Sequence, residues 1–200
     1  MSASIVSVCN RALSKLGAAR IVDLDQDTRQ ARALSACFDQ VRDLVLRSYR
    51  WSFALKRVVL SASAETPAFG FGFQYVLPSD FLQIDMVADR FPSAPRQVFV
   101  GGETNEYAIE GGMLLTDLEA PLSLRYIARI KDGAQWEANF ADVLACKLAW
   151  ELCEELTQSD SKRQLAMQEY KAAVSMALKA NSAQRIPTMQ PDGEWMGSRL

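Results

Sequence analysis

The sequence predicts an α+β fold, with N- and C-terminal helix pairs packed as a helical bundle and a central, mostly antiparallel β subdomain. Apolar residues recur at helical spacing near both ends of the chain, while short β-rich runs separated by turn residues fill the middle. The end helices come in pairs, and each pair needs the other to bury its apolar stripe. The predicted divisions are 1–52 for the first helix pair, 53–132 for the β subdomain, 133–186 for the second pair and 187–200 for an extended tail.

The first helix carries Ile5, Val8, Cys9, Ala12, Leu13 and Leu16 on one face, with Ser2 or Ser4 as its N-cap and Gly17 as a left-handed stop. Asp27 followed by Gln30 reads as a capping box for a longer second helix, whose stripe of Ala31, Leu34, Phe38, Val41, Leu44 and Val45 runs toward Arg50. Strands are predicted at Val58–Leu60, Gln74–Leu77, Leu82–Val87, Gln97–Val100, Tyr107–Glu110, Met113–Thr116 and Leu122–Ile130. Glu110-Gly111-Gly112-Met113 supplies the positive φ angles of a tight hairpin. In the last strand, Leu122, Leu124, Tyr126, Ala128 and Ile130 alternate with a more polar face of Ser123, Arg125, Ile127 and Arg129. Helical spacing returns with Phe140, Val143, Leu144, Leu148, Leu152 and Leu156, ending near residues 157–159. Ser161-Lys162-Arg163-Gln164 then reads as a capping box opening the fourth helix. Past Ala183, Pro187, Pro191 and Gly193 interrupt helix, and Trp195 stands beside Met196. Two readings stay open for this tail: folding back on its own domain, or docking on another subunit or partner.

An apolar fraction of 49% and a charged fraction of 23% exclude disordered and low-complexity classes. The longest apolar runs fall far short of a membrane span, and the N-terminal residues do not resemble a signal peptide, so no membrane anchor is predicted. Histidine is absent from all 200 residues, which excludes Ser-His-Asp and Cys-His machinery and His-containing zinc sites. Cys9, Cys37, Cys146 and Cys153 form no CxxC pair and read as small buried hydrophobes of a reducing cytosol. The net charge of −2 hides a partition: residues 1–60 have a surplus of five bases, 61–160 of ten acids and 161–200 of three bases. Either a solvated surface or a field that repels nucleic acid or pairs with a basic partner accounts for it.

Glu151, Glu154 and Glu155 cluster on one predicted helix, and neighbours of that kind remain solvated instead of facing each other across a catalytic cleft. Asp23, Asp25 and Asp27 alternate like the opening of a calcium loop, but the sixth position is Thr28 and the twelfth is Leu34, so an EF-hand is rejected. Phe69-Gly70-Phe71-Gly72-Phe73 reads as a strand-entry loop with buried aromatics. Arg47, Arg50, Lys56 and Arg57, with Tyr49 and Trp51 among them, form the concentrated basic-aromatic segment. It is read as a solvated helix end, a protein-partner face or a nucleic-acid contact. No catalytic, cofactor or metal residue is assigned.

Four motifs are specific in combination: W-x-F-A at Trp51, Y-x-L-P-x-D at Tyr75, E-G-x-x-L-L-T-D at Glu110 and A-P-L-x-L-R-Y at Ala120. With NRALSKLGAARI at 10–21 and LAWELCEELTQSDSKRQLAMQEY at 148–170, they resemble, in order, the tail tubular protein A or head-to-tail adaptor family of short-tailed bacteriophages. Arg50 departs from a family proline, and 86–105 and the residues past 186 match poorly. The resemblance implies a structural virion protein with no enzymatic activity and no cofactor, made in the host bacterial cytoplasm and placed in the virion tail. It implies a twelve-subunit homo-oligomeric ring between the portal protein and a nozzle protein of the tail tubular protein B type. Double-stranded DNA would pass through without specific binding. On that reading Glu103, Glu106 and Glu110 are candidate channel-lining acids, Pro187, Trp195 and Met196 a candidate portal-docking tail, and Arg47, Arg50, Lys56 and Arg57 a candidate partner-facing segment. A nucleic-acid-binding module and a carboxylate-dependent glycan hydrolase are the alternatives from other classes.

Overall fold

The computed structural model describes residues 4–88 and 107–183. In chain order they form α1 (Ile5–Leu16), α2 (Arg29–Ser48), a 3-10 turn (Ser52–Ala54), β1 (Leu55–Leu60), β2 (Phe73–Val76) and β3 (Phe81–Ala88). There follow β4 (Tyr107–Glu110), β5 (Met113–Thr116), β6 (Leu122–Ala128), a second 3-10 turn (Gly133–Gln135), α3 (Ala138–Thr157) and α4 (Asp160–Ala183). The fold is α+β, with four helices and two antiparallel three-stranded sheets among the described residues.

Local chemistry fixes the helix ends. Ser4 and Ser7 cap α1 reciprocally, each hydroxyl accepting from the other's backbone N–H, and Gly17 closes it at φ +69°. Asn10 then clamps the chain beyond the helix: its Nδ2 donates to the Ile21 carbonyl at 2.8 Å and its Oδ1 accepts from Ile21 N at 2.8 Å. Two predicted caps are corrected. Thr28, not Asp27, caps α2, because its extended backbone aims Oγ1 at Ala31 N, 3.2 Å away, while Asp27 pairs with Arg32. α4 begins at Asp160, and the Ser159 hydroxyl accepts from Lys162 N, so the opening lies two residues before the predicted Ser161.

α3 is the shared partner of the other three helices, each of which packs against it. Its sequence suits that position, with Phe140, Val143, Leu144 and Leu148 at 0% exposure and Ala141, Ala145 and Ala149 allowing close approach elsewhere on its surface. The sheets run in the orders β1-β6-β3 and β2-β5-β4. In the first, β6 is central, pairing Leu60 with Leu122 on one side and Phe81 with Ala128 on the other. Ile127, on the face predicted to be more polar, is buried as well. In the second sheet, Gly111 and Gly112 turn at φ +56° and +82°, the two consecutive positive angles the hairpin requires. The predicted Gln97–Val100 strand lies outside the described residues. The Phe69–Phe73 run does enter a strand, β2, but the expected burial of its aromatics is corrected at Phe69, which stands 87% exposed while Phe71 and Phe73 are half-buried.

In the described element order the chain leaves the helices once, between α2 and β1, and returns once, between β6 and α3. Each crossing carries a tryptophan whose indole N–H donates to a carbonyl six residues upstream, Trp51 to Val45 at 2.9 Å and Trp136 to Ile130 at 3.0 Å. Both rings meet Phe140 near the start of α3 edge-on, at centroid distances of 5.2 and 5.5 Å, and Phe53 adds a third contact at 5.1 Å. Buried residues of the helices and both sheets thereby join one continuous apolar core. Phe140→Ala is expected to cost about 3–5 kcal/mol and to lower Tm by roughly 6–20 °C in a chain of this size. Phe69→Ala should leave Tm nearly unchanged, and thermal unfolding followed by circular dichroism checks both.

Candidate functional site

A seam of carboxylates links the helices to the first sheet, and in it Asp43, Asp80 and Asp85 are each shared between two donor residues. In α2, Arg42 is 3% exposed; its Nη1 donates to Asp39 at 2.6 Å and its Nε and Nη2 to Asp43 Oδ1 at 2.9 and 2.8 Å. The second Asp43 oxygen accepts from Arg129 Nε at 2.7 Å, just past β6. Asp85 of β3 is held by Arg50 Nη2 at 2.7 Å and by Arg125 Nε from β6. Asp80, just before β3, accepts from Lys56 Nζ at 2.6 Å and from the Tyr126 hydroxyl at 2.9 Å. Asn181, 6% exposed in the last turn of α4, donates to the Arg50 carbonyl and accepts from the Ser52 hydroxyl, both at 2.6 Å.

This arrangement suits positioning better than proton transfer. Burial pushes the Asp80 carboxyl up, but the hydrogen bonds from Lys56 and Tyr126 outweigh it and hold the group below the usual carboxylate range. Burial and the Asp80 bond push the Tyr126 hydroxyl up to about 12, away from an activated phenolate. Burial likewise raises the Cys9 thiol to about 12 and the Cys37 thiol to about 11, and all four cysteines are free.

The predicted basic segment divides. Arg50 and Lys56 enter ion pairs of the seam, whereas Arg47 on α2 and Arg57 on β1 are exposed and enter none among the described residues. Glu110 is exposed at the hairpin end of β4. Glu103, Glu106, Pro187, Trp195 and Met196 lie outside the described residues.

The remaining carboxylate clusters have local duties. Glu151 pairs with Lys147 at 2.6 Å, Glu154 pairs with Arg163 at 2.9 Å, and Arg29 donates to the Glu155 carbonyl. The three glutamates, Arg29 and Arg163 line an open groove of about 700 Å³ at the α3–α4 turn. Lys147 also lies 3.9 Å from the Trp150 ring centroid, a cation–π contact that helps keep a buried ammonium in place. Asp23 accepts from Asp25 N, and no group of three or more acids or cysteines is placed to hold a metal ion among the described residues.

The seam was not legible in sequence. Its cross-element partners are 24 to 131 residues apart, so neither periodicity nor spacing signals the pairing. The motifs did flag many of the same residues. W-x-F-A supplies Trp51 and Phe53 of the joint, and Y-x-L-P-x-D supplies Asp80 of the seam together with Tyr75, whose hydroxyl donates to the Leu118 carbonyl at 2.7 Å. In E-G-x-x-L-L-T-D the glycines make the hairpin and Asp117 accepts from Gly72 N at 2.8 Å, while A-P-L-x-L-R-Y supplies Arg125 and Tyr126.

Asp80→Asn should lower stability at neutral pH by roughly 1–2 kcal/mol. The unmodified protein loses this contribution as pH falls from the unfolded carboxylate's value of about 3.9 through the lower folded value. Urea unfolding from pH 7 to pH 2 should therefore show a flatter acid limb in the variant.

No protein-family model matches this chain, and no curated protein matches it.

Proposed function

We propose that this chain is a structural head-to-tail adaptor of a short-tailed bacteriophage, assembling as a ring between portal and tail nozzle through which the genome leaves. The observation that carries the reading is the order and position of the four motifs. They resemble the adaptor family in sequence, and in this chain their residues meet at the joint, the seam and the hairpin that hold the helices and sheets together. Motif residues committed to rigid connection suit a protein that works by shape and contact.

In this reading the helices form the ring wall and portal-facing layer, and the β part makes intersubunit and nozzle contacts. Glu103, Glu106 and Glu110 line the channel, where repulsion from phosphate lets DNA slide without adhering. The tail containing Pro187, Trp195 and Met196 docks on the portal, its tryptophan supplying the anchor.

Negative-stain microscopy of the full chain mixed with the portal from the same genome should show twelve-fold rings extending the portal. A folded chain that adds no density to the portal would overturn the reading, and salt-dependent duplex DNA binding or glycan cleavage by that chain would favour an alternative class. Deleting 187–200 should abolish portal attachment without changing Tm. Replacing the three channel glutamates with glutamine should slow genome ejection from otherwise intact particles.

A further inference from the structure

Charge is unevenly divided along the described β part. Residues 58–88 and 107–124 contain no lysine or arginine, and they carry Glu65, Asp80, Asp85, Glu110, Asp117 and Glu119. Asp80 and Asp85 are neutralised within the seam. Glu65, Glu110, Asp117 and Glu119 are exposed and enter no ion pair among the described residues.

Two of these acids share one end of the second sheet with unburied rings. Phe73, Thr116 and Tyr107 form its terminal cross-strand row, and the Gly72–Asp117 hydrogen bond ties together the loops just beyond it. At that end Tyr107 is 45% exposed, and Phe69, in the loop entering β2, is 87% exposed. Aromatic side chains beside acids that are unpaired among the described residues suit an apolar partner surface bearing cations.

The chain supplies exposed cations beside aliphatic side chains elsewhere, on α2 and on β1. Arg47 and Arg57 are exposed and enter no ion pair among the described residues, and each has an exposed aliphatic neighbour on its own element. Leu44 lies one turn before Arg47 on α2 and is 50% exposed, while Val59 lies two residues after Arg57 on the same face of β1 and is 47% exposed. We infer that the Phe69–Tyr107–Asp117–Glu119 end of the second sheet docks on the Leu44–Arg47 and Arg57–Val59 surface of a second copy of this chain. The two surfaces differ, so the contact is head-to-tail, and in the closed ring of the adaptor reading it repeats from subunit to subunit. This inference rests on the adaptor reading and assigns the faces of its intersubunit contact.

Charge reversal in the full chain tests it. Glu65→Lys, in the same β1–β2 connection as Phe69, with Glu119→Lys reverses the acidic side, and Arg47→Glu with Arg57→Glu reverses the basic side; all four positions are exposed, and unchanged Tm verifies folding. Each pair alone is expected to lower the yield of closed rings on the portal at least about tenfold, and all four together to restore it. Rings from each pair at wild-type yield, or no rescue by the fourfold variant, would overturn the inference and leave the adaptor reading intact. If the unmodified chain forms no rings on the portal, the adaptor reading fails, and sedimentation equilibrium at low salt decides the contact separately. Self-association weakened by each pair, restored by all four and suppressed by about 0.5 M salt supports it; a monomer at every concentration overturns it.

Discussion

Phe140 is where the two halves of this molecule are held to one another. A chain that departs from a helical bundle and returns more than eighty residues later needs its exit and its entry fixed together, or the β part would swing on two independent tethers. Trp51 marks the exit and Trp136 the entry, and both pack edge-on against that one ring. Each indole is further oriented by a hydrogen bond to a carbonyl six residues back, so burial of the large rings leaves neither N–H without an acceptor. α3 can hold this position because it is apolar over most of its surface and contacts all three other helices.

The ion pairs add direction to a joint that packing alone would leave rotationally permissive. Apolar contact is indifferent to small rotations, whereas a carboxylate gripped from two elements is not. Asp43 fixes α2 against the end of β6, and Asp85 fixes the α2–β1 connection against β3 and β6. Asn181 brings the last turn of α4 to the same connection, so α2 and α4 are both referenced to the first sheet. The burial of Arg42 is tolerable because two carboxylates occupy its guanidinium, one of them shared with Arg129.

What could be read from sequence followed the range of the interactions involved. The α1 stripe with its Gly17 stop, the Gly111-Gly112 hairpin and the alternation in β6 are local patterns with local causes, and they match the observed elements apart from the burial of Ile127. The misassigned caps were also local, but two adjacent residues could each serve, and backbone angles chose Thr28 over Asp27. Phe69 departed from expectation because hydrophobicity indicates what prefers burial without saying whether the fold provides a place for it. The seam lay beyond reach because its carboxylates and guanidiniums resemble ordinary surface charges until the topology brings them together.

The position of α3 also sets a timetable. α1 and α2 emerge from the ribosome with their apolar faces complete, but the helix that covers them begins at residue 138, ninety residues after α2 ends. At ordinary synthesis rates that interval is roughly 5–20 s. For that period the nascent chain carries two adhesive helices without the helix that covers them both. The arrangement that unites the finished protein thus makes its newest form dependent on protection, and dense synthesis of many copies at once sharpens that dependence.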